Sequence, residues 1–223
     1  MNAGRPFIVA IDGPAGSGKG TVATALAQRL DFAYFESGIF FRVVSWRALQ
    51  LGVRPEQNAE LEALIASPWL REQWQVLDRT LLREEHIGMF SSEIGKNPGV
   101  RALFISFVHQ EISKETAKGV ILDGRDTGSA VFPDADCKIF LTASSEVRAH
   151  RRFDELRARG KEVVYEEIFQ DLHKRDANDR SRPVGPLQID DTYCPLDTSN
   201  LSIAEAISAA ERIVRQKYLH SEG

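Results

Sequence analysis

The sequence predicts an α/β protein, a doubly wound parallel sheet of about five strands, and three observations carry that prediction. Phe7 to Ile11 is a short, wholly apolar run that passes through a glycine-rich turn into a stretch of helical period carrying Val22, Leu26 and Leu30. Two further runs of the same kind, Val120-Ile-Leu-Asp123 and Lys138-Ile-Phe-Leu141, each end in a turn, as strands buried on both faces do. Stretches of helical period separate these strands, and such alternation closes a parallel sheet through right-handed crossovers.

The turn after the first strand reads Gly13, Pro14, Ala15, Gly16, Ser17, Gly18, Lys19, Gly20, Thr21. Its glycines open backbone conformations closed to other residues, so that successive N–H groups can face a phosphate while the helix adds the positive end of its dipole. Lys19 then supplies a mobile point charge for β- and γ-phosphates, which makes the stretch a P-loop. The common pattern puts Ser or Thr directly after the lysine; here Gly20 stands there and the hydroxyl follows at Thr21. A glycine-rich turn with no ligand is the plain alternative, and the strand before, the helix after and Lys19 in register weigh against it.

Further along, Asp31 to Phe35 reads as a second strand, Glu36-Ser-Gly38 as the turn out of it, and Ile39 to Leu51 as an amphipathic helix ended by Gly52. Arg42 falls in the first turn of that helix, where a cation opposes the dipole unless a substrate phosphate reverses the balance. From Val53 to about Pro98 the pattern loosens into an insertion, with Trp69 and Trp74 anchoring a small core of their own. Val100 to about Ala117 regains helical period, with Arg101 at its start. The loop Gly124-Arg-Asp-Thr-Gly128 follows the strand ending at Asp123 and should face the P-loop, because loops at the carboxyl ends of parallel strands line the ligand crevice. Glu146 to Arg159 is a strongly charged helix with Arg148, Arg151, Arg152, Arg157 and Arg159, a pattern whose plain reading is a solvated face. In the helix from Tyr165 to about Arg182, residues Arg175, Asp179 and Arg182 share one face, as an ion-pair ladder would. Tyr193 to Asp197 is a last strand that Pro195 confines to an edge, and Ser202-Ile-Ala-Glu205 opens the final helix with a capping box.

Length and composition bound the function. A chain of 223 residues with 43% hydrophobic and 27% charged residues suits one α/β domain with insertions. A net charge of −4 argues against general nucleic-acid or membrane-surface binding. Cys137 and Cys194 have no metal-ligand spacing and read as free thiols in a reducing compartment. With no signal-peptide core and no run approaching ~18 apolar residues, a cytoplasmic enzyme is expected.

Taken together, these residues resemble the bacterial-type cytidylate (CMP) kinases, a group of nucleoside monophosphate kinases. The resemblance rests on Ile11-Asp-Gly-Pro-Ala-Gly-Ser-Gly-Lys-Gly-Thr21, Ser37-Gly38 with Phe41-Arg42, Asp123-Gly-Arg-Asp126 with Gly128 and Val131-Phe-Pro133, Lys138-Ile-Phe-Leu141, Ala149-His-Arg-Arg152, and Arg175 with Asp179 and Arg182. It covers nearly the whole chain, and the Asp-Gly-Arg-Asp loop with Ala-His-Arg-Arg is its most specific part.

The resemblance implies transfer of the γ-phosphoryl group of ATP to CMP or dCMP, with Mg²⁺ as cofactor, no nucleic-acid or membrane partner, and a monomer. It implies ATP contacts along residues 13–21 and from Arg151 and Arg152, on a lid spanning about residues 146–163, and leaves open which of those two arginines meets phosphate. It implies that Lys19, Asp123, Arg125, Arg175 and Arg182 act at the transferring group; that Arg42, Arg125, Arg175 and Arg182 hold the CMP phosphate; that Ser37, Ser92, Arg101 and Asp126 read the base; and that Asp179 meets the ribose. Thr21 would meet the metal directly or through water, with Asp123 nearby, and residues 53–98 would form the monophosphate-binding insert. The span from Ser37 to Arg83 is shorter than in familiar bacterial members, so part of the insert's usual sheet would be missing, and Thr142 stands where members often carry an acidic residue. A kinase of the same fold acting on UMP, AMP or a small metabolite is the nearest alternative. A P-loop switch or binding module is a further one, opposed by the absence of the guanine-reading Asn-Lys-x-Asp and the switch Asp-x-x-Gly.

Overall fold

The computed structural model describes residues 5–74 and 76–222. In chain order, β1 (Phe7–Asp12) leads through the P-loop into α1 (Lys19–Leu30), then β2 (Ala33–Glu36), α2 (Ser37–Gln50), α3 (Asn58–Ala66), α4 (Pro68–Gln73), a 3-10 turn at Leu81–Arg83, α5 (Glu85–Ile94) and α6 (Pro98–Ile112). There follow β3 (Gly119–Gly124), a π-helical turn at Thr127–Val131, β4 (Cys137–Thr142), α7 (Ser145–Ala158), α8 (Tyr165–Ser181), β5 (Cys194–Asp197) and α9 (Ile203–Glu222).

The five strands lie in the order β2-β3-β1-β4-β5, and β1 runs parallel to both its neighbours. All six residues of β1 are buried, which is why Phe7 to Ile11 are apolar without alternation. On one face Val9, Ile11, Ile121, Ile139 and Leu141 pack against Val22 and Leu26 of α1 and against Ile207, Ala210 and Val214 of α9; each such side chain removed from water contributes roughly 1.5–3 kcal/mol. The chain leaves β1 outward to β2, returns to β3 beside β1, and crosses to β4 on the other side. That reversal places a crevice outside the carboxyl ends of β1 and β3, and the register Ile11↔Asp123, Asp12↔Gly124 brings the ends of both strands level there.

The chain divides into two compact bodies, one made of the residues up to Phe35 with those from Thr116 onward, the other Glu36–Glu115. The smaller body is built from helices, and among its described residues no strand follows Glu36. Its core holds Phe40, Leu61, Leu70, Leu82, Ile87 and Phe104. Trp74 is buried edge-on against Phe107, whereas Trp69 is only half-buried and stacks on Trp46 beneath Arg47.

Several boundaries differ from the sequence reading. Ser37 and Gly38 are the first residues of α2, not a turn, so Arg42 lies in the second turn, beyond the strongest part of the dipole. Pro98 opens α6, with the Asn97 side chain accepting from the N–H of Gly99 at 2.8 Å and of Val100 at 3.2 Å. The helix α8 stops at Ser181, because Pro183 pushes Arg182 out of the helical region, to φ −57° and ψ 134°. Arg182 therefore does not continue a helical face with Arg175 and Asp179. No helix among the described residues is long and apolar enough to cross a membrane.

Candidate active site

The P-loop's shape follows from its glycines. Gly16 and Gly18 adopt φ of 73° and 90°, in the left-handed region. At Gly13 a Cβ would collide with the Leu141 carbonyl oxygen at 2.0 Å, so only glycine lets the loop cross β4 this closely. The loop delivers Lys19 into a buried position, where its ammonium donates to the Pro14 carbonyl at 2.8 Å. Burial pushes the Lys19 ammonium well below its ordinary range, with Arg125 adding to the effect; Asp123 and Asp12 pull upward and Arg175 pushes further down. The larger body thus places Arg125, Arg175, Asp123 and Asp12 within electrostatic reach of Lys19.

The two strand-end carboxylates serve different ends. Asp12 is fully buried; its Oδ1 accepts from the Thr127 N–H at 2.8 Å, and its Oδ2 from the Gly128 N–H and the Tyr193 hydroxyl, both at 2.7 Å. It fastens the loop after β3 to the end of β1, and burial together with the Asp12 charge raises the Tyr193 pKa. Gly128 is confined by that contact, since a Cβ there would lie 2.8 Å from the Tyr193 hydroxyl. With both oxygens so engaged, Asp12 is unsuited to a metal. Asp123 is only half-buried; its Oδ1 accepts from the Tyr34 hydroxyl at 3.1 Å, and Oδ2 would lie 3.8 Å from a Cβ on Gly20. Asp123 and the exposed Thr21 in the first turn of α1 are the residues here that suit a hard cation. Among the described residues no group of three His, Cys, Asp or Glu side chains is placed to hold a metal ion.

Arg125 donates through Nε to Asp179 Oδ2 at 2.8 Å. Burial raises the Asp179 pKa, but Arg125 and Arg182 outweigh it and hold the carboxyl below its usual range. Arg182 is the unusual member: its side chain is 11% exposed, its Nε and Nη2 have no hydrogen-bond partner, and Asp179 Oδ1 stands 4.0 Å away. Buried guanidinium nitrogens without acceptors are costly unless an anion arrives. Arg175 is exposed on α8.

On α7 the arginines separate into three roles. Arg148 is buried and donates from Nε to the Ala143 carbonyl at 3.0 Å and from Nη1 to the P-loop carbonyl of Ala15 at 2.9 Å, while Nη2 pairs with buried Asp176 of α8 at 2.7 Å. Ala15 also packs among Ala149, Ile168 and Leu172. Arg151 donates to the Thr198 carbonyl at 2.8 Å and the Ser17 carbonyl at 3.4 Å, with Nη1 4.0 Å from a Cβ built on Gly18. Arg152 faces outward, bonded to Glu155, which also pairs with Arg159. Arg148, Arg151, Arg152 and Arg159 thus have protein partners, and only the outward-facing ones fit the solvated face that the charge pattern suggests. Arg148 was missed because a buried arginine in a run of arginines has the same spacing as a solvated one.

In the smaller body, Arg42 donates to the Leu82 carbonyl at 2.6 Å and lies against Gly88, where a Cβ would meet its Nη2 at 3.3 Å. Arg101 is buried and donates to the Gly95 carbonyl at 3.4 Å. Ser37 is buried at the start of α2, and Ser92 is half-buried on α5. Asp126 is buried in the larger body, in the turn that Asp12 fastens.

The family model described as cytidylate kinase matches residues 9–216 of this chain. A cytidylate kinase from Fervidobacterium nodosum is 37% identical over 214 residues, covering 94% of this chain and 96% of the relative. One from Azorhizobium caulinodans is 40% identical over 210 residues, covering 94% and 98%. The chain belongs to the cytidylate kinase family. Among solved structures, a Thermus thermophilus protein aligns with a TM-score of 0.50 at 20% identity, over 96% of this chain and 98% of that one, and shows the fold alone. Cytidylate kinase membership makes sense of the cations around the P-loop, since phosphoryl transfer asks for positioning and positive charge and for little covalent work. At Thr142, where the resemblance leads to the expectation of an acidic residue, the main-chain carbonyl accepts from the Thr198 N–H at 2.8 Å; nothing in the structure explains the threonine.

Proposed function

We infer that this chain transfers the γ-phosphoryl group of ATP to CMP, and to dCMP as well. The observation that carries the reading is the guanidinium of Arg182, buried with two nitrogens unpartnered beside Asp179 and the Arg125 it holds, on a body whose P-loop lysine is buried with the cations Arg125 and Arg175 near it. Two phosphate-bearing ligands would satisfy both at once. The P-loop backbone of residues 13–21 and Lys19 take the ATP phosphates; Arg151, beside Ser17 and Gly18, completes that grip, and outward-facing Arg152 does not. Arg125, Arg175 and Arg182 hold the CMP phosphate and the transferring group, where bidentate forks suit phosphate oxygens. Charge that strengthens its contacts as the transfer proceeds lowers the barrier.

The resemblance further assigns Ser37, Arg42, Ser92, Arg101 and Asp126 to CMP, with Asp179 on the ribose. Cytosine offers an amino donor at N4 and acceptors at N3 and O2, so acceptors such as Asp126 and Ser92 with a donor such as Arg101 select it over uracil. Residues 53–98 act as the monophosphate-binding insert and residues 146–163 as a lid. Asp123 and Thr21 are the side chains that would hold Mg²⁺, which would supply neutralising positive charge for the ATP phosphates. A cytoplasmic monomer fits the two unpaired thiols, of which buried Cys137 is pushed up to about 12.

A coupled assay with ATP, Mg²⁺ and CMP, dCMP, UMP or AMP tests the reading. CMP and dCMP should give the highest kcat/KM, and a preference for UMP or AMP overturns the substrate assignment.

A further inference from the structure

We propose that Tyr34 is a positioning residue that replaces the hydroxyl missing from the P-loop at Gly20. In the common P-loop a Ser or Thr directly after the lysine works with a carboxylate at a neighbouring strand end. Here the first of that pair is absent, and the space it would occupy is bounded by two groups from other elements. A Cβ on Gly20 would lie 3.7 Å from the Tyr34 hydroxyl and 3.8 Å from Asp123 Oδ2, both ordinary contact distances. The Tyr34 hydroxyl donates to Asp123 Oδ1 at 3.1 Å, which leaves Oδ2 turned toward Gly20. Tyr34 reaches this point from β2, at the sheet edge beyond β3, with its ring packed beside the cluster of β1 and α1. An edge strand thus sends a hydroxyl to the place beside Gly20, where it fixes the rotamer of the carboxylate that would meet the ATP-bound metal.

The inference rests on the reading of the chain as an ATP-dependent kinase and adds to it a residue outside every motif that suggested that reading. It also accounts for Gly20: a side chain there would compete with Tyr34 for Asp123. Partners that orient a metal-facing carboxylate are worth about 10- to 100-fold in metal affinity or activity.

The test is Tyr34→Phe, which keeps the ring and removes one oxygen, alone and combined with Gly20→Ser. Calorimetric binding of ATP at increasing Mg²⁺ reads the effect without turnover, and melting curves check the fold. Tyr34→Phe should need about 10-fold more Mg²⁺ for the same ATP affinity and should lose about 10-fold in kcat, with KM for CMP unchanged. Adding Gly20→Ser should recover most of both, since the serine hydroxyl enters the space the phenol leaves. Wild-type Mg²⁺ dependence in Tyr34→Phe overturns the proposal, as does a loss that Gly20→Ser fails to repair. Failure of the kinase reading is separate: it would appear as absent turnover of CMP, dCMP, UMP and AMP alike by the unaltered protein.

Discussion

Arg148 donates to the carbonyl of Ala15 at 2.9 Å, so a buried side chain of α7 holds the third residue of the P-loop in place. The same guanidinium pairs with Asp176 at 2.7 Å, both side chains almost without exposure. Loop, α7 and α8 therefore meet at one cation. Asp176→Asn should leave Arg148 buried and uncompensated, at a cost of about 3–5 kcal/mol, which for a chain of this size is a fall in Tm of roughly 10 °C. A melting curve decides it, and a shift within error of wild type would show that the pair is not structural.

Lys19→Met should cost turnover about 100-fold or more, as loss of one preorganised charge does. Its effect on stability should have the opposite sign. Because the folded Lys19 binds its proton less tightly than the unfolded chain, the charged side chain opposes folding. That penalty is complete below the folded pKa and fades as pH rises toward the ordinary 10.5. Without ligand the variant should melt at or above wild type near neutral pH, with the gap closing toward about pH 10. A variant clearly less stable at neutral pH contradicts the burial argument.

Arg182→Gln should weaken CMP without weakening the fold. Two of the nitrogens it removes, Nε and Nη2, have no hydrogen-bond partner in the free protein, and the Asp179 carboxylate stands no nearer than 4.0 Å, so Tm without ligand should change little. Each charge-assisted bond lost to phosphate is worth about 1.5–3 kcal/mol, or roughly 10- to 150-fold in kcat/KM for CMP. Saturation kinetics in CMP, with melting curves beside them, would falsify the assignment if kcat/KM stayed unchanged.

Arg101→Met should narrow the preference for CMP over UMP. A guanidinium donates to N3 and O2 of cytosine, whereas uracil carries N–H at N3 and keeps only part of the contact. The unpaired acceptors cost about 1–3 kcal/mol, roughly 5- to 150-fold for CMP, with KM for ATP little changed. An unaltered CMP-to-UMP ratio would remove Arg101 from base recognition.

The sheet was legible because strands covered on both faces are apolar over most of their length, as in Phe7–Ile11 of β1 and Ile139–Leu141 of β4. The P-loop was legible because left-handed turns need glycine, here Gly16 and Gly18. Helix starts were harder: Asn97-Pro98 reads equally as a break or as a cap with proline at the first position, and only the bonds to Gly99 and Val100 decide. Long-range partners left no local trace. Asp12 ends its strand just as Asp123 does, and nothing local tells the two apart, because the three donors that engage Asp12 lie more than a hundred residues away. Arg148 and Tyr34 likewise gain their roles from Asp176 and Asp123, at distances no periodicity encodes.

The close passage of Gly13 over the Leu141 carbonyl bears on how far this loop can be moved to another scaffold. Residues 13–19 are not a portable cassette. Their track is set by a carbonyl on β4 and a guanidinium on α7, both more than a hundred positions downstream. A graft that carries the glycines without the equivalents of Leu141 and Arg148 would keep the motif's spelling and lose the cradle it spells.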